Sequence, residues 1–159
     1  MQYTKVLIAV DNSTFSIGAA KAGFELAHQL KATVGLAFVI DISKEIINTD
    51  LGITLQQSAT ALLKQAEDTI EQLIQMYNDN SKAEVLRFTP EGFPKKEILN
   101  IAKEWGAELI IMGTHGRTGL SHLLVGSVAE YVIKNADVPV LVVPFRKSVP
   151  KNVALHDLK

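Results

Sequence analysis

The sequence predicts an α/β protein built on an open, doubly wound, five-stranded parallel sheet with helices on both faces. Three observations carry this expectation. Short β-branched runs alternate with longer stretches of helical periodicity, the pattern of repeated βα units. The runs are nearly continuous in apolar residues, as strands covered on both faces must be. Five such runs are too few for a closed barrel of eight, and right-handed crossovers then leave the sheet open.

KVLIAV, Lys5–Val10, is the first strand. Residues 13–30 follow as a helix, with Phe15, Ala19, Phe24, Ala27 and Leu30 mostly on one stripe and Ser13 placed to cap it. TVGLAFVI, residues 33–40, is the second strand. Residues 41–53, DISKEIINTDLGI, form the longest irregular connection, read either as a flap over the sheet edge or as a plain surface loop. Residues 54–77 make one long amphipathic helix: Leu62, Ala66, Ile70, Leu73 and Tyr77 recur at spacings of three and four, while Lys64, Glu67, Asp68 and Glu71 face away. AEVLRF, residues 83–88, is the third strand. Pro94 opens a helix through residues 95–105, and Gly106 closes it. ELIIMG, residues 108–113, a helix over 127–135, and PVLVVP, residues 139–144, complete the chain's regular elements.

With 159 residues the chain fits one domain, expected over 1–146, followed by a loosely ordered tail at 147–159. Its 16 basic and 17 acidic residues are interspersed, so no charged arm points to nucleic acid or to an anionic membrane. The absence of cysteine excludes disulfides, thiolate metal sites and a cysteine nucleophile. The apolar run in the opening MQYTKVLIAVD is too short for a signal peptide or a membrane span, which leads to the expectation of a cytoplasmic protein.

The stretch GTHGRTGLSHLLVGS, residues 113–127, stands at the end of the fourth strand, where open α/β sheets bind their ligands. Gly113, Gly116, Gly126 and Ser127 are spaced G-x2-G-x9-G-S. The first two glycines can expose backbone N–H groups as an anion-binding concavity, and Gly126-Ser127 sets a helix N-terminus and a hydroxyl beside it. Singly, each has an ordinary use: a strand-ending turn, loop glycines, an N-cap. Jointly, after a strand, they point to phosphate. Neither Gly-Lys-Ser/Thr nor G-x-G-x-x-G after the first strand occurs; AVDNST stands there instead.

At these residues the sequence resembles the universal stress protein family, specifically its ATP-binding branch, whose hallmark is G-x2-G-x9-G-(S/T). KVLIAVDNS, FVID, EGFPKKEIL, ELIIMGTHGRTGLSHLLVGSVAEYVI and ADVPVLVVP carry the resemblance from about residue 5 to 144. It implies strand order 3-2-1-4-5 and a homodimer through the last strand. It also implies an ATP site in which Asp11 contacts the nucleotide near adenine and ribose, Ala9 and Val10 line the adenine slot, and Val39 offers backbone atoms to the adenine edge. Met112 joins that lining. Gly113, Gly116, Gly126 and Ser127 would cradle the phosphates with main-chain N–H groups of His115, Arg117 and Val128, and Ser127 Oγ would lie near the terminal phosphate or its Mg2+. Read without the resemblance, Asp11 serves equally as a helix-initiating carboxylate and Val39 as core.

No catalytic machinery is expected beyond slow ATP hydrolysis. His115 and His122 flank the glycine loop, but the G-x-S-x-G elbow is missing, and no histidine pair has metal-ligand spacing on one helix. Arg117 beside phosphate can stabilise charge or be a solvated loop residue. The expected function is an ATP-binding regulatory protein of the stress response, partnered by ATP and a second copy, with no nucleic acid or membrane. Two alternatives stay open: an adenine-nucleotide hydrolase or adenylating enzyme, which usually carries SGGxDS or HIGH where VDNSTF stands, and a dimerisation module that binds no nucleotide. In the implied strand order residues 139–144 form an apolar sheet edge with prolines at both ends, which a second copy would cover. One of the pairs Val140/Val142 and Leu141/Val143 is expected to face a helix layer and the other an interface.

Overall fold

The computed structural model describes residues 3–41, 55–78, 84–114 and 125–144, with side chains from residue 59 onward in the second segment. β1 (Lys5–Val10) is followed by α1 (Thr14–Leu30) and β2 (Thr33–Phe38). Next come a short β3 (Ile40–Asp41), the long α2 (Leu55–Tyr77), β4 (Val85–Phe88) and a short β5 (Glu91–Gly92). α3 (Pro94–Trp105), β6 (Leu109–Gly113), α4 (Ser127–Asn135) and β7 (Val140–Val143) complete the order. The five longer strands pair in parallel in the order β4-β2-β1-β6-β7. Counted among themselves, they have the 3-2-1-4-5 arrangement.

Side-chain alternation on the central strands divides the core into two layers. Val6, Ile8 and Val10 point to α1 and α2, where Ile17, Phe24, Ile70 and Leu73 cover them. Leu7 and Ala9 point the other way, to Ile98, Ile101 and Ala102 of α3 and to Ala129 and Val132 of α4. β1 is buried on both faces from Val6 through Val10, which accounts for its unbroken apolar run.

Two glycines set the distance between layers. A Cβ on Gly23 of α1 would lie 2.6 Å from Cδ1 of the fully buried Ile8, so the helix rests its backbone on β1. A Cβ on Gly35 of β2 would lie 2.7 Å from Cζ3 of Trp105 and 3.0 Å from Cε2 of Phe88. Those rings pack against each other at 5.7 Å between centroids, so neither has room to yield. Gly35 is the floor on which the end of α3 sits.

The helix boundaries follow their chemistry. Pro94 occupies the first turn of α3, and Gly106 ends it at φ 73°, with the N–H of Ala107 closing back on Ala102 O at 2.8 Å. At the end of α1, Lys31 takes the left-handed conformation at φ 55° without being glycine.

The run read as a single second strand, 33–40, is two strands. β2 stops at Phe38, and Ile40–Asp41 pair in parallel with Glu91–Gly92. Both ladders keep one register, since Ala37 stands opposite Phe88 and Ile40 opposite Glu91. Pro90 explains the gap: it has no N–H to continue the ladder, yet its carbonyl accepts from Ile40 N–H at 2.9 Å and the pairing resumes. β7 also departs from expectation. Val140 packs with the α3/α4 layer and Val143 with the α1/α2 layer, so neither face of the strand is left wholly to a partner.

At the amino end of the sheet, Glu108 ties β6 to β1. Its Oε2 accepts from Thr4 N–H at 2.5 Å, Thr4 Oγ1 at 2.9 Å and Lys5 N–H at 3.1 Å. The hydrogen bonds from Thr4 and then from Lys5 hold the carboxyl below the usual glutamate range. A carboxyl more acidic in the folded chain adds stability that is complete above its unfolded pKa and is lost as pH falls through the folded one. An NMR titration should therefore place the Glu108 midpoint below the ordinary glutamate value, and Glu108→Gln should remove the corresponding acid-side slope in a pH series of melts.

Gly35 and Gly18 give opposite expectations for the same substitution. Gly35→Ala should destabilise by about 1–3 kcal/mol through overpacking against Trp105. Gly18 lies in α1 with nothing within 4 Å of an added Cβ, so Gly18→Ala should stabilise by up to about 1 kcal/mol through helix propensity. Urea unfolding of the two variants checks both signs.

Candidate functional site

The chain reverses its direction across the sheet between β1 and β6. From β1 it proceeds through α1 to β2 and through α2 to β4 on one side; from β4 it crosses through α3 to β6 and through α4 to β7 on the other. The crevice outside the carboxyl ends of β1 and β6 is thus the topological switch point. Sequence-predicted residues come to it from β1, from the break after β2, from β6 and from α4.

One wall of the crevice is built from Gly113, Thr114 and the start of α4. Gly113 pairs with Val143, and Thr114 N–H donates to Val143 O at 3.1 Å. Gly126 N–H then donates to Thr114 O at 2.6 Å, so the two ends of the glycine-rich connection are bonded together. Gly126 is the N-cap of α4 and brings no capping side chain. Ser127 and Val128 therefore begin the helix with N–H groups directed out of its end, and Gly126 before them is bonded to Thr114, the residue after Gly113. Ser127 is exposed, whereas Val128 is half-buried against the α3/α4 core. Glu130 in the first turn would oppose an anion, but Lys134 holds it at 2.6 Å; that hydrogen bond and charge keep its carboxyl below the ordinary range. His115, Gly116 and Arg117 lie outside the described residues.

The other wall starts at Asp11, where β1 gives way to α1. Its Oδ1 accepts from Ser13 N–H at 2.9 Å, Ser13 Oγ at 2.5 Å and Ser16 Oγ at 2.6 Å. Ser16 Oγ in turn accepts from Asp11 N–H at 2.7 Å. Asp11 thus performs the helix-initiating role through an Asx turn and is at the same time a carboxylate fixed at the crevice. Ser13 stands at the N-cap as expected, with φ −88° and ψ 156°, but its hydroxyl makes no cap bond to the helix. The hydroxyl turns back to Asp11 instead.

Between the two walls lies an apolar floor. Ala9, Val39 and Met112 belong to one buried cluster on the α3/α4 face, and Ala9 is directly opposite Met112 in the ladder. Val10 faces the other layer and lies opposite Phe38. Val39 occupies the break between β2 and β3, one residue past that pair, so it is core and at the strand-end mouth together. A depression of about 330 Å³ elsewhere, between α2 and β4, is lined by Glu67, Asp68 and Glu71 with Arg87. Glu71 already engages that guanidinium at 2.8 Å, so the charge there repels polyphosphate.

Ser13 and Ser16 are the site residues that the sequence reading missed as ligand-shaping groups. Their signal was available as D-x-S-x-x-S across a strand-to-helix junction, a spacing that returns two hydroxyls to one carboxylate. Among the described residues no group of three or more His, Cys, Asp or Glu side chains could hold a metal, and no helix is long and apolar enough to cross a membrane.

A doubly wound parallel sheet with both inner connections meeting at the switch point is the architecture in which α/β proteins hold ligands at the carboxyl ends of strands. Residues 2–144 match the model of the universal stress protein family, and the chain belongs to that family. Universal stress protein MJ0531 of Methanocaldococcus jannaschii is 37% identical over 148 residues, covering 89% of this chain and 82% of that protein. Universal stress protein UspA from Lactobacillus plantarum shares the fold with a TM-score of 0.80 at 26% identity, covering 90% of this chain and 99% of its own. The Archaeoglobus fulgidus universal stress protein in complex with dAMP shares it with a TM-score of 0.63 at 19% identity, covering 90% of this chain and 99% of its own.

Proposed function

We propose that this protein binds ATP with Mg2+ at the carboxyl ends of β1, β2 and β6, and that the nucleotide acts as a regulatory occupant rather than a fuel. The observation that carries the reading is the bond between Gly126 and Thr114, because it brings a helix N-terminus without a capping side chain against the glycine that ends β6. Such an end favours an anion through oriented N–H groups and the helix dipole. Gly113, Gly126, Ser127 and the N–H of Val128 take the phosphates, and His115, Gly116 and Arg117 complete the motif in the sequence. Ala9, Val10, Val39 and Met112 form the slot for the base, and Asp11 accepts from a ribose hydroxyl or the base amine. Support comes from the dAMP carried by the Archaeoglobus fulgidus protein of the same fold.

The cation fits as a companion of the phosphates. Mg2+ keeps most of its ligands as phosphate oxygens and water and needs few from protein, and the Ser127 hydroxyl would add to them. It would neutralise charge on the phosphates. Glu130, the carboxylate in the first turn of α4, is engaged by Lys134, and turnover is expected far below the enzyme median of about 10 per second.

Calorimetry with MgATP tests the site. Gly126 has φ −71°, a backbone that any L residue adopts, so Gly126→Val leaves the fold intact while its side chain obstructs the helix end. Wild type should bind and the folded variant should not; equal affinity in the two would remove the phosphate assignment.

We propose further that two copies pair through β7. Leu141 stays 40% exposed on this edge strand and Ile133, on the neighbouring α4, 47%, although Val140 and Val143 are packed inward. An apolar edge without lysine or bulge calls for a cover, and a twofold mate supplies one. Light scattering at micromolar concentration should give a dimer for wild type and a monomer for Leu141→Lys. A monomeric wild type would refute the pairing.

A further inference from the structure

We infer that Ser16 is a positioning residue for the Asp11 carboxylate, and through it a determinant of how firmly the site holds the hydroxyl- or amine-bearing end of a nucleotide. The inference rests on the nucleotide reading above. Ser16 is only 5% exposed, in the first turn of α1. Its hydroxyl bonds twice to Asp11: it accepts from the backbone N–H at 2.7 Å and donates to Oδ1 at 2.6 Å. Packing alone does not call for a hydroxyl there. Ala19 and Ala20, in the next turn, are fully buried alanines, and alanine is the better helix former. Burying a hydroxyl is costly unless it is hydrogen-bonded, and here both of its bonds serve one residue.

Their effect is geometric. The bond to the N–H fixes the backbone where β1 ends, and the bond to Oδ1 fixes the side-chain rotation, so one hydroxyl sets both the origin and the direction of the carboxylate. Ser13 adds two more donors to the same oxygen. The carboxylate is ordered when the chain folds, not when the ligand arrives, which lowers the cost of binding. A carboxylate only accepts, so the group it selects is a donor such as a ribose hydroxyl or a base amine, never a phosphate.

The test is a double-mutant cycle on MgATP affinity with Asp11→Ala, Ser16→Ala and the pair, each checked by thermal melting. Both single changes should weaken binding by about tenfold, the scale of a lost hydrogen bond to a charged group. The pair should be no weaker than Asp11→Ala alone, because Ser16 acts through the carboxylate. A general loosening of α1 would instead add its loss to that of Asp11. Ser16→Cys, close in volume but a weak donor, should show the same loss and keeps the comparison open if the alanine variant melts early. Wild-type affinity in both Ser16 variants, or additive losses in the pair, would overturn the positioning role while leaving the nucleotide site standing. A wild type that binds no ATP would overturn the nucleotide reading itself, and this inference with it.

Discussion

β1 is enclosed on both faces and hydrogen-bonded on both edges, and the rest of the molecule is arranged around that enclosure. Val6, Leu7 and Ile8 are fully buried, Ala9 and Val10 nearly so. At roughly 1.5–3 kcal/mol for each large side chain taken from water, the strand cannot tolerate a wet face, so helices must cover it above and below. One connection out of β1 leads to β2 and the other neighbour, β6, arrives from the opposite side of the sheet. A crevice at the carboxyl end of β1 is the geometric consequence. Function is thus placed by the core: the chain has to part where its most buried strand emerges.

One polar group at that mouth gives up a local preference. α3 closes with a glycine in the left-handed conformation and a return hydrogen bond, as a helix that only supports the fold would. The starts of α1, α3 and α4 all lack a side-chain cap bond. Ser13 has the right identity and backbone for a cap worth about 1 kcal/mol, yet its hydroxyl binds Asp11. The start of α3 has no capping side chain at Phe93 to commit and sets Pro94, which has no N–H, in its first turn, whereas at α1 a hydroxyl able to cap is committed to Asp11 instead. A cap-capable hydroxyl given over to a neighbouring carboxylate is a departure from local preference of the kind a functional site leaves in a fold.

The legibility of the sequence follows the range of the interactions involved. Strand and helix identities were readable because they rest on local periodicity, and the ends of α3 because Pro94 and Gly106 act on their own backbone. The extra pair β3–β5 was not readable in the same way. Its cause is a missing N–H on Pro90 opposite a particular stretch of β2, and that register exists only after the strands have met. Asp11 was singled out, but not the hydroxyls that hold it, since serine after a strand reads first as a helix cap. The packing of Val140 and Val143 into opposite layers likewise depends on where α1 and α4 end relative to β7, which no window of sequence contains.

Thr114 connects the two features that the proposed function uses. Its N–H is bonded to Val143 O at the end of β7, and its carbonyl to Gly126 N–H at the start of α4. The strand edge proposed to meet a second copy and the helix end proposed to meet phosphate are therefore two hydrogen bonds apart, through one residue. Both bonds lie in main chain, so they depend on the paths of β6, β7 and α4 and not on any side chain that substitution could remove. Backbone that orders the helix end also orders the carboxyl end of the edge strand, and the reverse holds with the same force, because coupling between sites is reciprocal in free energy. In a protein whose ligand is an occupant, such a linkage is a physical route by which occupancy can be expressed at a surface.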